Sequence, residues 1–250
     1  MDLSSYLDDL NSSDLIVRAA GIIALGKTGD PNAAGYLIRI LEARNEPEWL
    51  RACAAIALGR IPSEQVVPQL IKALQEDSLL VSRAVILALG DLKCEQAIPY
   101  LEGILEDRGK LEVHAVTIKV LGAIGGPKAV PALLRALKNP DKQVKRNAAL
   151  ALGEMRIEKA VLPLIDLMGD DDECLRAIAA SSLGLIANKQ AVPRLIEALN
   201  DDSQTVRIIA ASSLGYLGDR QAVSRLEEVL VNENKTLREM AAVALAKLRS

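Results

Sequence analysis

LRAIAASSLGLIANKQAVPRLIEAL, residues 175–199, carries the signal that decides the fold. Leu175, Ala179, Ser182 and Ile186 follow at steps of four, three and four, which places them on one face of a helix. Asp172 stands just ahead, where a carboxylate accepts bonds from the first free N–H groups of that helix. Small side chains at Ala179 and Ala180 admit a neighbouring helix at close range, and Gly184 relieves crowding where helices cross. Ala187-Asn188 breaks the period. A second helical stretch runs from about Gln190 to Leu199, with Val192, Leu195, Ile196 and Leu199 apolar. Pro193 falls early in it, where a missing N–H is tolerated.

The Leu-Gly pair inside this stretch recurs along the chain. It stands at Leu25-Gly26, Leu58-Gly59, Leu89-Gly90, Leu121-Gly122, Leu152-Gly153, Leu183-Gly184 and Leu214-Gly215, with Leu245-Ala246 as a degenerate eighth copy ending at about residue 249. The spacings are 33, 31, 32, 31, 31 and 31 residues, with 31 more to Ala246. A fixed period in this range predicts a stack of helical repeats, each buried only against its neighbours. Residues 1–250 therefore read as one all-α solenoid domain of eight helix-turn-helix repeats. The capping position, twelve residues before the glycine, holds Asp14, Ser78, Asp141, Asp172, Ser203 and Asn234 in six repeats, and Pro47 and Lys110 in the other two. Those two repeats carry extra residues, which predicts insertions in the turns EARNEPEW (42–49) and EDRGKLE (106–112).

Composition fits closely packed helices. Half of the residues are hydrophobic, yet there is no Phe, one Trp and four Tyr, so the core is built from small aliphatics. Net charge is −3, and the halves differ mildly: residues 1–125 carry 12 basic and 17 acidic side chains, residues 126–250 carry 18 and 16. Neither half forms the basic field that nucleic-acid binding needs, and aromatic stacking partners are absent around the small basic centre of Lys119, Lys142, Lys145 and Arg146. The opening MDLSSYLDDL is acidic, without a basic region ahead of an apolar run, and no apolar stretch reaches the ~20 residues of a membrane span. The expectation is a soluble, cytoplasmic monomer. Cys53, Cys94 and Cys174 are odd in number and lie in different repeats, which argues against a disulfide framework. Four repeats separate Cys53 from Cys174; at ~8–10 Å per stacked helix the two stand ~40 Å apart, too far for a shared metal.

VRAAGIIALGKTGD (17–30), VKRNAALALGEM (144–155) and VRIIAASSLGYLGDRQAV (206–223) resemble the HEAT repeat of the short, phycobilin-lyase-like (E-Z) type, and the resemblance covers essentially the whole chain. It implies a right-handed superhelix whose second helices line the concave side. Scaffolds, adaptors, bilin lyase subunits and a di-iron hydroxylase share the repeat, so it specifies fold far better than function. It also implies that the arginines eight residues before the glycine, Arg18, Arg51, Arg176, Arg207 and Arg238, bridge to adjacent turns. Repeats three to five have Ser82, His114 and Lys145 there, which predicts irregular stacking in the middle.

Numbering each repeat from its glycine, positions −9, −5, −4, −2 and −1 belong to the core, and −11, −10, −7, −6, −3 and +1 face the groove. The candidate partner-binding residues on those positions are Ile16, Ile23, Trp49, Cys53, Ile56, Leu80, Arg83, Leu87, Glu112, Lys119, Arg146, Asn147, Ile178, Ile208 and Tyr216. They are largely apolar in repeats one to three, and a large apolar stripe on a surface marks a binding site. The alternative is that superhelical curvature buries positions −6 and −3 between adjacent helices, or that Trp49 shields the long turn after Pro47. The best-defined patch centres on Trp49 with Ile16, Ile56, Leu80 and Arg83.

Catalytic chemistry finds little support. His114 is the one imidazole, so the His-Glu pairs of a di-iron hydroxylase are missing, and no nucleophile motif or phosphate-binding glycine loop accompanies it. Asp170-Asp171-Asp172 and Asp201-Asp202 fall at helix starts, where carboxylates serve capping and the helix dipole. The reading is a non-enzymatic adaptor that binds another protein along its groove, without metal or cofactor. The alternative is a lyase-like subunit holding a bilin for attachment to or removal from a phycobiliprotein, with Trp49, Tyr216, Arg83 and Arg146 around the tetrapyrrole.

Overall fold

Helix starts follow from the capping residues. In the computed structural model, which describes residues 3–75, 78–231 and 234–249, the Asp14 side chain accepts from the Ile16 N–H, Ser78 from Val81, Asp141 from Gln143 and Val144, and Asp172 from Cys174 and Leu175. Asn234 Oδ1 accepts from the Leu237 N–H at 2.9 Å. Ser203 occupies the same backbone position without a side-chain bond. Pro47 and Lys110 give no side-chain cap either, as expected of their chemistry.

The chain is an all-α repeat fold. Among the described residues there are sixteen α-helices and no strand. They alternate as first and second helices of eight pairs. The first helices are α1 (Leu3–Leu10), α3 (Ala34–Glu42), α5 (Val66–Ala73), α7 (Ile98–Glu106), α9 (Val130–Ala136), α11 (Val161–Leu167), α13 (Val192–Glu197) and α15 (Val223–Val229). The second helices are α2 (Leu15–Thr28), α4 (Glu48–Leu58), α6 (Leu79–Asp91), α8 (Leu111–Ile124), α10 (Lys142–Glu154), α12 (Glu173–Ile186), α14 (Gln204–Leu217) and α16 (Lys235–Arg249). The pairs form two compact units, residues 1–129 and 130–250, each with four pairs. The insertions fall between α3 and α4 and between α7 and α8, as their lengths predict.

In unit 1 the second helices α2, α4, α6 and α8 pack side by side, and the repeat glycine sets how closely. A Cβ on Gly26 would lie 2.7 Å from the Ala57 Cα, and one on Gly59 2.7 Å from the Ala88 Cα. Each glycine thus faces position −2 of the next repeat, and only a hydrogen fits between the two backbones. The α6–α8 contact is looser: a Cβ on Gly90 would meet the Val120 methyls at 3.0 and 3.1 Å, because the branched side chain holds the helices further apart. In unit 2 the residue at −2 is a serine twice, and its hydroxyl links helices. Ser182 Oγ donates to the Ala149 carbonyl at 2.8 Å, and Ser213 Oγ to the Ala180 carbonyl at 2.9 Å.

Position −8 ties most of the second helices to the turns beside them. Arg18 pairs with Glu46, and buried Arg51 donates from Nε to the Leu41 carbonyl at 2.8 Å. Lys145 pairs with Asp170 at 2.5 Å. Arg176 reaches Asp201 through Nε and Nη2, and Arg207 reaches the Asp201 and Asp202 carbonyls. His114 is buried with Nε2 3.1 Å from the Asp107 carbonyl oxygen, so it serves as an interior link in the same series. Ser82 is too short to reach a turn; its buried hydroxyl has no partner among the described residues. Two core expectations need correction. Val17 at −9 and Ala242 at −4 stand exposed, because no further second helix covers those sides of α2 and α16 among the described residues.

Candidate protein-docking groove

Position −10 and position −3 lie seven residues apart, about 10.5 Å along a helix, and nearly on the same line of its surface. On α2, α4 and α6 they are Ile16 and Ile23, Trp49 and Ile56, and Leu80 and Leu87. All six side chains are exposed, from 37% at Leu87 to 78% at Ile16. Because the three helices pack side by side, the six form two parallel apolar ridges that run across them. Between the ridges fall positions −7 and −6, which are Ala19, Ala20, Ala52, Cys53 and Ala84. These small residues leave a groove floor, with Ala52 and Ala84 buried and Cys53 half-buried. Burial pushes the Cys53 thiol up from its ordinary pKa, so it stays a neutral apolar lining group. Arg83, also at −7 but exposed, stands at the far end of the floor.

Charge is arranged on the two lips. Beyond the −3 ridge, at +1, stand Lys27 and Arg60 with one acid, Asp91, and the −3 row itself continues on α8 as Lys119. Beside the −10 ridge, at −11, stands Glu48, and the −10 row itself continues on α8 as Glu112. All six side chains are exposed, and none has an ion pair among the described residues. An open depression of about 560 Å³ adjoins the groove at α2, lined by Tyr6, Ala20, Ile23, Ala24, Lys27 and Thr28.

Ten of the candidate residues named from sequence thus fall in unit 1: Ile16, Ile23, Trp49, Cys53, Ile56, Leu80, Arg83, Leu87, Glu112 and Lys119. Curvature does not bury the −3 row, whereas Cys53 at −6 is half-buried. The other five, in unit 2, have different surroundings. Arg146 is half-buried with Nε enclosed and without a partner among the described residues, beside Asn147, which accepts from Gln143 at 3.0 Å. Ile178 and Ile208 are half-buried. Tyr216 is 66% exposed, with Lys247 Nζ 3.8 Å from its ring centroid. The lip residues Lys27, Arg60 and Glu48 were not singled out from sequence, and their signal was their helical register with the ridges. Tyr6 carried no signal, since it comes from a first helix.

The repeat geometry now meets the known proteins. A family model for HEAT repeats matches residues 37–116, 109–184 and 161–246. The chain is a HEAT-repeat protein. Among solved structures, the Escherichia coli protein YibA is similar in fold over 100% of this chain and 93% of its own, with a TM-score of 0.73 and 20% sequence identity. The complex of CpcE and CpcF of phycocyanin lyase from Nostoc sp. PCC7120 is similar over 99% of this chain and 95% of that chain, with a TM-score of 0.54 and 24% identity. An engineered protein is similar over 99% and 79%, with a TM-score of 0.59 and 20% identity. No curated protein sequence matches. At these identities the likeness shows the HEAT-repeat fold, of the repeat type seen in the phycocyanin lyase complex.

Proposed function

We propose that this HEAT-repeat protein is a non-enzymatic adaptor, a cytoplasmic monomer that holds another protein against its second helices, with the groove of unit 1 as its principal contact. One observation carries the reading. At the −10 and −3 positions, unit 2 has Gln143, Cys174, Thr205 and Thr236, and Leu150, Ser181, Ser212 and Val243. Its second helices pack side by side just as those of unit 1 do. Stacking therefore does not need a large apolar group at −10, nor one at every −3 position, and Ile16, Trp49 and Leu80 with the unbroken −3 row beside them in unit 1 answer to something else. Exposed Trp and large aliphatics on a rigid surface are what protein interfaces use as anchors.

No described helix is long and apolar enough to cross a membrane. Protein partners are supported by the repeat class, and the CpcE–CpcF complex is itself an assembly of two chains. The test compares cross-linked partners captured by the 250-residue protein and by its Ile56→Glu variant. Loss of the specific partner from a variant that melts normally supports the reading; unchanged capture overturns it. Addition of bilin supplies the second arm. A shifted absorption band, with transfer of the pigment to an acceptor protein, replaces the adaptor by a lyase-like function.

A further inference from the structure

Resting on the docking reading, we infer that the groove of unit 1 takes an amphipathic α-helix laid across α2, α4 and α6, whose apolar stripe is flanked by acidic residues on one side and basic residues on the other. Backbone chemistry selects a helix. The floor and the −3 ridge are made of helical residues whose N–H groups are already bonded within their own helices, and on the −10 ridge the Ile16 N–H is taken by the Asp14 carboxylate. An extended segment would find no strand edge to pair with and would turn unsatisfied polar groups toward an apolar floor. A helix satisfies its own backbone and brings only side chains.

The dimensions agree. Neighbouring second helices stand ~8–10 Å apart, and seven residues of a guest helix rise ~10.5 Å, so apolar residues at i and i+7 fall at successive host helices. The alanine floor accepts one row of guest side chains between the ridges, the ridge-into-groove arrangement of helix packing. Crossing three hosts takes a guest of roughly fourteen residues or more.

The lips choose the flanks. Lys27, Arg60 and Lys119 on one side outnumber Asp91, while Glu48 and Glu112 lie on the other, all exposed and without ion pairs among the described residues. A guest with carboxylates toward the first lip and ammonium or guanidinium groups toward the second is attracted along both edges. Reversing its direction would set like charges against each other, so the same pattern fixes the guest's polarity.

The probe is a display library of 18-residue helical peptides with a fixed leucine stripe at i, i+4, i+7, i+11 and i+14 and flanks randomised among Glu, Lys, Ser and Gln, selected on the immobilised protein. Enriched clones should carry Glu on one flank and Lys on the other. The best clone, synthesised with a fluorophore, should lose about 30-fold in affinity on Trp49→Ala. It should lose at least tenfold on Lys27→Glu combined with Arg60→Glu, and about 100-fold when a proline interrupts its centre. Circular dichroism confirms that each protein variant is folded. Clones that bind in a Trp49-dependent way but tolerate the proline, or show no flank preference, overturn this inference and leave the docking reading standing. Clones that bind wild type and Trp49→Ala equally overturn both.

Discussion

Gly59 and Ala88 hold α4 and α6 at backbone contact: a methyl at Gly59 would lie 2.7 Å from the Ala88 Cα and 2.9 Å from its Cβ. Neither atom can swing aside, since both belong to a packed helix. Gly59→Ala should therefore destabilise the protein by about 1–3 kcal/mol, the range of core overpacking. Gly103, within α7, has nothing within 4 Å of its would-be Cβ. Gly103→Ala should stabilise by about 0.8–1 kcal/mol through helix propensity alone. Denaturant unfolding of the two variants should give opposite signs.

Ala187 ends α12 in the left-handed region, with φ of 59°, where α2 and α14 end at Gly29 and Gly218 with φ of 65° and 68°. An L residue there costs about 1–2 kcal/mol, while glycine costs about 0.5–1 kcal/mol in chain entropy. Ala187→Gly should raise stability by about 0.5–1 kcal/mol, visible as a higher melting temperature.

Asp201 accepts two parallel 2.8 Å bonds from Arg176, whose guanidinium holds its carboxyl below the usual range; the Ser203 N–H adds to this and partial burial opposes it. Because the folded-state pKa is depressed, the stabilisation is present above the unfolded value of about 3.9 and is lost as pH falls through the lower folded value. Asp201→Asn should cost about 1–2 kcal/mol at neutral pH, after allowance for solvent screening of a partly exposed pair. The gap between variant and wild type should close below about pH 4. Melting temperatures recorded across pH 2.5–7 check this.

Trp49 is the one Trp of the chain and is 41% exposed on its ridge. Its emission therefore reports on the groove without labelling. Covering the ridge with a bound protein or helix should shift the emission to the blue and protect it from iodide quenching. Binding elsewhere would leave both unchanged.

The fold was legible because its rule is periodic. The 31-residue spacing, the aspartates and serines at the caps and the apolar register each constrain every repeat, so eight copies reinforce one another. The insertions at 42–49 and 106–112 were readable for the same reason, as departures from the period. What escaped was set by neighbours in space. Val17 has the same register as buried Leu50 and Val81, and only the absence of a covering helix among the described residues exposes it. The groove was half legible. Trp49, Ile16 and Leu80 announced a ridge, but the alanine floor reads in sequence as close packing, and it becomes a floor only where the ridges on either side stay uncovered. Lys27 and Arg60 belong to successive repeats, 33 residues apart, and align into one lip opposite Glu48 only when the helices stack.

On the proposed function, the apolar ridges of unit 1 bind a protein and do not hold the fold together. The decisive measurement pairs the affinity of Trp49→Ala for a captured partner with its melting temperature. A docking role for Trp49 predicts a loss of about 2 kcal/mol or more in binding, roughly 30-fold, with the melting temperature nearly unchanged. A variant that melts well below wild type, while its folded fraction binds the partner with undiminished affinity, would make Trp49 a core residue and rule out the docking ridge.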